Sequence, residues 1–62
     1  MKRYFKDAYG CTASIAETPK GYRLRCANPY GGVIRNDVFG TYRGARQAMG
    51  RMSDGWREVA TA

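Results

Sequence analysis

Between Tyr22 and Trp56 the chain reads Tyr22-Arg-Leu-Arg-Cys-Ala-Asn-Pro-Tyr-Gly-Gly-Val-Ile-Arg-Asn-Asp-Val-Phe-Gly-Thr-Tyr-Arg-Gly-Ala-Arg-Gln-Ala-Met-Gly-Arg-Met-Ser-Asp-Gly-Trp56. Its second half carries a helical period. Tyr42, Ala45, Met49, Met52 and Trp56 recur at steps of three and four, with Ala48 beside them. At about 100° per residue these positions share one arc and form a single apolar stripe. Thr41 is the candidate N-cap, its hydroxyl placed to accept from a free amide one turn on. Asp54-Gly55 is the candidate stop, because glycine accepts the left-handed conformation just past a helix end. The spacing predicts a helix over 42–53, with Trp56 folding back beneath it.

The opposite face of that helix carries Arg43, Arg46, Gln47 and Arg51 and no acid. Gly44 and Gly50 lie within the helix, where each costs about 1 kcal/mol relative to alanine. Glycines kept at such a cost suit close backbone approach, by another element of the fold or by a partner.

Outward from the helix, Tyr22 to Ala27 alternates strictly. Tyr22, Leu24 and Cys26 face one way, and Arg23 and Arg25 the other. Thr18-Pro-Lys-Gly21 before it is a tight turn, with proline presetting φ and glycine allowing φ > 0. Cys11 to Glu17 alternates more weakly, with Cys11, Ala13 and Ile15 inward and Thr12, Ser14 and Ala16 outward. Pairing the two strands across the turn sets Arg23 and Arg25 beside these small residues and leaves a flat, positive outer face. Asn28-Pro-Tyr-Gly-Gly32 is a loop, and Val33 to Phe39 a third strand. That strand has two inward sets: Ile34 and Val38 with Asn36, or Val33 and Phe39 with Arg35 and Asp37. The apolar pattern favours the first, which sets Arg35 beside Arg23 and Arg25. Residues 56–59 are read as a short final strand or as a simple tail.

The opening residues Lys2, Arg3 and Lys6 interleave with Tyr4, Phe5 and Tyr9, a mixture that suits stacking on bases and pairing with phosphates. Residues 1–9 are read as an edge strand or a loose tail. No apolar run follows the basic start, so the reading expects neither a signal peptide nor a membrane anchor, and a cytoplasmic location. The fold expected is a single α+β domain over 1–62. It is a small antiparallel three- to four-stranded sheet packed against one amphipathic helix, in the order β-β-β-α with or without a last strand.

At 62 residues such a domain buries only about 60% of its unfolded surface. A small stability margin of this kind invites pairing of an exposed sheet edge with a second copy. The two cysteines fall on neighbouring strands as diagonal neighbours, about 7–8 Å apart, beyond the reach of a relaxed disulfide. They are read as reduced thiols. With two cysteines and no histidine, no metal site or cofactor is expected. No two of Asp7, Glu17, Asp37, Asp54 and Glu58 are brought together by spacing, and no nucleophile motif accompanies them, so no enzyme is expected.

Charge is the strongest functional signal. Eleven basic residues against five acids leave +6, and eight of the eleven are arginine. The guanidinium fork binds phosphate or carboxylate through two parallel bonds and stacks on bases. Gly21-Tyr-Arg-Leu-Arg25, then Phe39-Gly-Thr41 leading into Ala45 and Ala48, resembles at low resolution two DNA-binding families. These are the plant ethylene-response domains and the amino-terminal domains of tyrosine integrases. The resemblance implies a sheet set into the major groove and read by strand arginines. The first functional expectation is therefore a nucleic-acid-binding module. Arg23, Arg25 and Arg35 would form the contact surface, with Lys20, Arg43, Arg46 and Tyr30 flanking. The second is a phage or mobile-element effector that docks on an acidic host protein, as anti-CRISPR proteins do, with Tyr4, Tyr9, Tyr30 and Trp56 as aromatic anchors.

Overall fold

The computed structural model describes residues 2–53 and 55–60. The strands are β1 (Lys2–Lys6), β2 (Thr12–Thr18), β3 (Gly21–Ala27), β4 (Val33–Phe39) and β5 (Arg57–Val59), with one helix, α1 (Tyr42–Met52), between β4 and β5. Every neighbouring pair is antiparallel, in the order β4-β3-β2-β1-β5. The α+β class is as expected, but the sheet has five strands rather than three or four. Residues 2–6 are neither an edge nor a tail, because β1 lies between β2 and β5. Their alternation is masked by Arg3, which lies on the same side as buried Phe5 and covers the ring of Tyr42 from 5.4 Å.

The helix sits mainly over β3 and extends to β2 and β4. Ile15 and Leu24, directly opposite each other on β2 and β3, are fully buried with Cys26 and Met49. Phe5, Ala13, Ala45 and Ala48 complete the core, and Tyr22, Phe39, Tyr42, Met52 and Trp56 pack around its margin. The apolar stripe of α1 thus meets the inward sets of β2 and β3, which the alternation had identified. Thr41 caps α1 by accepting from the Gly44 amide at 3.0 Å. Trp56 does fold back: its Nε1 donates to the Met49 carbonyl at 2.8 Å, satisfying one acceptor of the last turn. Of the expected stop, Asp54 lies outside the described residues, while Gly55 has the left-handed φ of 75°.

The inward set of β4 is the reverse of the expected one. Tyr22 pairs with Phe39, Leu24 with Asp37 and Cys26 with Arg35, so Arg35, Asp37 and Phe39 face the helix side. Val38 and Asn36, opposite Arg23 and Arg25, face away. Two features account for this. Phe39 buries more apolar surface against the core than Val38 could, and β4 is an edge strand where the helix cover thins. Arg35 and Asp37 are tolerated there because they neutralise each other, Nε to Oδ2 at 2.7 Å. A register irregularity at Cys26–Ala27 inserts one extra residue near the start of β4.

Gly21 closes the β2–β3 turn with φ of 137°, and a Cβ there would lie 2.2 Å from the Phe39 carbonyl oxygen. The β3 start and the β4 end therefore approach as closely as only glycine permits. Gly50 is different: a Cβ there would meet nothing nearer than an Arg46 guanidinium nitrogen at 4.0 Å. Close approach within the chain does not explain it.

Asp7 is the buried charge of the fold, 5% exposed. One carboxylate oxygen accepts from the Tyr9 and Cys11 amides at 2.9 and 2.8 Å, and the other from the Ser53 hydroxyl at 2.6 Å. The residue thereby ties the β1–β2 loop to the end of α1, across 46 positions of sequence. Burial by itself would raise its pKa. The bonds from Ser53, Cys11 and Tyr9 outweigh burial and hold it below the ordinary aspartate value.

A carboxyl with a lowered native pKa contributes stability that is present above its unfolded value of about 3.9 and is lost as pH falls through the native value. Acid titration followed by circular dichroism should show stability falling below about pH 4. Asp7→Ala should flatten that fall and lower stability at neutral pH by about 1–3 kcal/mol through its orphaned amides. Thermal melts should separate the two glycines. Gly50→Ala is expected to stabilise by up to about 1 kcal/mol, and Gly21→Ala to destabilise by about 1–3 kcal/mol from backbone strain alone.

Candidate nucleic-acid interface

One helix covers one side of the sheet, and none of the described residues forms a second layer on the other. Period-two alternation decides what lies there. The cross-strand register arranges it in rows. Val38, Arg23, Ala16 and Lys2 form one row; Asn36, Arg25, Ser14, Tyr4 and Val59 the next; Val33, Ala27, Thr12, Lys6 and Arg57 the third. Along β2 the side chains are small: Thr12, Ser14 and Ala16. The cations stand on both flanks, Arg23 and Arg25 on β3 and Lys2 and Lys6 on β1. Strands two apart in a sheet are separated by about 10 Å, so β2 is the floor of a shallow trough with positive walls. A recess of about 250 Å³ opens in it, bounded among others by Lys2, Tyr4, Ser14 and Arg25.

Charge is sorted between the two sides. Lys2, Lys6, Arg23, Arg25 and Arg57 are all exposed on the open side, and no carboxylate among the described residues joins them. Glu17, Asp37 and Glu58 share strand faces with the buried residues, and Asp7 is buried. On the helix side, these four acids offset Arg3, Arg35, Arg43, Arg46 and Arg51 almost completely. The excess charge of the described residues is therefore concentrated on the open sheet face.

The expected site residues divide accordingly. Arg23 and Arg25 stand side by side on the open face as expected. Arg23 Nη1 donates to Asn36 Oδ1 at 2.8 Å, which holds its guanidinium along the sheet. Lys20 is exposed in the β2–β3 turn, at one end of the sheet. Arg35 does not join them: it faces the helix side, ion-paired with Asp37 and 5.6 Å from the Phe39 ring. Arg43 and Arg46 are also on the far side, with Arg46 lying 5.2 Å from the Phe5 ring. Tyr30 is 95% exposed in the β3–β4 loop, at the opposite end of β3 from Lys20. That loop is ordered by Asn28, whose Oδ1 accepts from the Tyr30 and Gly32 amides at 3.0 and 2.9 Å.

Of the expected aromatic anchors, Trp56 is committed to the core margin and to Met49, so it offers no free ring. Tyr9 is 77% exposed. Tyr4 is half-buried on the open face with Lys2 Nζ 5.4 Å from its ring. Lys2, Lys6 and Arg57 were not assigned to the surface from sequence. The signal for the first two was present in the alternation Lys2-Tyr4-Lys6.

Other chemistry is sparse. Among the described residues no three His, Cys, Asp or Glu side chains converge as metal ligands do. Both cysteines are free. Cys26 lies opposite Ala13, as the turn assignment required, while Cys11, expected on the strand, falls just before its first paired residue. Burial pushes both thiols up, with the Asp7 carboxylate adding to the effect at Cys11 and Arg35 opposing it at Cys26, which suppresses thiolate at neutral pH. No helix of the described residues is long and apolar enough to cross a membrane. Comparison of the chain with protein-family models, curated proteins and solved structures finds no match.

Proposed function

We propose that this chain binds nucleic acid through the open face of its sheet. The observation that carries the reading is the pairing of five exposed cations with no carboxylate, among the described residues, on a surface that none of those residues covers. A structural role would leave such a face mixed in sign, since like charges at cross-strand spacing repel and destabilise. A polyanion reverses that cost. The trough along β2 admits a phosphate backbone, Arg23 and Arg25 present bidentate forks on one wall, and Lys2 and Lys6 present point charges on the other. Tyr4, in the same row as Ser14 and Arg25, supplies a ring edge or face for a base. Arginines 35, 43 and 46 are excluded from this interface. The chemistry expected is binding without catalysis, with phosphate contacts dominating affinity.

Titration against labelled duplex DNA, single-stranded DNA and RNA at several salt concentrations tests the reading. If four or five phosphates of a duplex are neutralised, log affinity should fall against log salt with a slope of about −4. Replacing both Arg23 and Arg25 with alanine should reduce that slope by about two contacts' worth, while Arg43→Ala with Arg46→Ala leaves it unchanged. Absence of binding to all three polymers at low salt would overturn the proposal. It would reassign the surface to an acidic protein, to be sought by pull-down from nuclease-treated lysate.

A further inference from the structure

The two edges of the sheet are unlike. At one edge, β5 has three residues, two of them charged. Short, charged edge strands are a common way to block pairing with another chain. At the other edge, β4 has seven residues, no proline and no lysine, and its charges cancel. Its one protective device is the irregularity at its start. Five large hydrophobic side chains are exposed among the described residues, and three of them, Val33, Ile34 and Val38, are on this strand.

The β4 sequence, Val33-Ile-Arg-Asn-Asp-Val-Phe39, is chemically self-complementary when reversed about its middle residue. Laid antiparallel against a copy with Asn36 facing Asn36, Arg35 of each strand faces Asp37 of the other. Ile34 then faces Val38, and the irregularity that turns Val33 onto the open side ends the matched register there. We infer that β4 pairs with β4 of a second copy in this register, giving a two-fold dimer with one continuous ten-stranded sheet.

Charge selects the register. With both helices on one side of the joined sheet, the alternatives shift in steps of two. Such a shift brings Arg35 onto its own copy in one direction and Asp37 onto its own copy in the other. Only the Asn36-centred register pairs every charge with its opposite. Opposed residues of antiparallel strands share a face, so Arg35 and Asp37 meet on the helix side, where both already lie. The helices do not collide. Each sits mainly over its own β3, and the two β3 strands would be about 14 Å apart, more than the width of about 10–12 Å of a helix with its side chains. The open faces of the two copies become coplanar. The inference concerns the edge alone and stands whether or not the open face binds nucleic acid.

Sedimentation equilibrium of the intact protein should show a concentration-dependent monomer–dimer equilibrium. Asp37→Arg and Arg35→Asp, each checked for its fold by circular dichroism, should each weaken self-association at least about tenfold, because like charges then face each other twice. Mixing the two variants should restore a dimer of one copy of each, since the reversed charges become complementary. A wild-type chain that stays monomeric at millimolar concentration, or a mixture that forms no heterodimer, would overturn the inference. If either charge variant fails to fold, mild oxidation of Asn36→Cys decides. That position faces itself across the axis and should cross-link into a covalent dimer. Val38→Cys, which faces Ile34, and the unsubstituted chain should not. Equal cross-linking at 36 and 38 would equally overturn the register.

Discussion

Among the described residues a single eleven-residue helix is all the cover for a five-stranded sheet, and most of the architecture follows from that shortage. The helix seats itself where the apolar payload is densest, over Leu24 and Cys26 of β3 and Ile15 of β2. Cover thins toward both edges, so Arg3 and Glu58 near one edge and Arg35 and Asp37 at the other replace apolar contacts with paired charges. A buried carboxylate, Asp7, then clasps the end of the helix to the β1–β2 loop, where apolar side chains run out. The far side of the sheet receives no cover from the described residues and is a surface defined by strand alternation.

The central parts of this arrangement are legible in the sequence because their signals are redundant. In α1 a threonine cap, an apolar stripe and a returning tryptophan all agree. In the β2–β3 hairpin the Pro-Lys-Gly turn and the alternation of Tyr22 to Cys26 point to one register, and the placement of Cys26 opposite Ala13 follows from it. Legibility fails at the periphery. In β1 the inward set is Arg3 and Phe5, and an arginine that packs over Tyr42 reads in sequence like one that points to solvent. In β4 a hydrophobic count prefers Ile34 and Val38 inward. The chain instead packs one large ring, Phe39, against the core margin and lets Arg35 and Asp37 satisfy each other.

The candidate site inherits the same division. Arg23 and Arg25 lie on the clearest strand, and their placement is legible from a period of two. Arg35 is misplaced by the same single-residue parity that inverts β4, because in a strand one such error moves every side chain to the other face. Arg43 and Arg46 belong to the helix and so to the covered side. The alternation Lys2-Tyr4-Lys6 puts Lys2 and Lys6 on one face, but only the pairing of β1 with β2 sets that face beside Arg23 and Arg25, and Arg57 enters through the pairing of β1 with β5. That last contact joins the two ends of the chain, and no local pattern encodes it.

The sorting of charge between the two sides has a consequence before any contact is made. A body with a nearly neutral back and a strongly positive front experiences a torque as well as an attraction near a polyanion. Within about 8 Å of it at physiological ionic strength, the field turns the molecule so that the open sheet leads. For the polyanion binding proposed above, rotational search would narrow before docking begins, and encounters would be productive more often than the size of the patch alone would allow. The acids placed beside the helix thus contribute to a surface they never touch, by giving the molecule a direction.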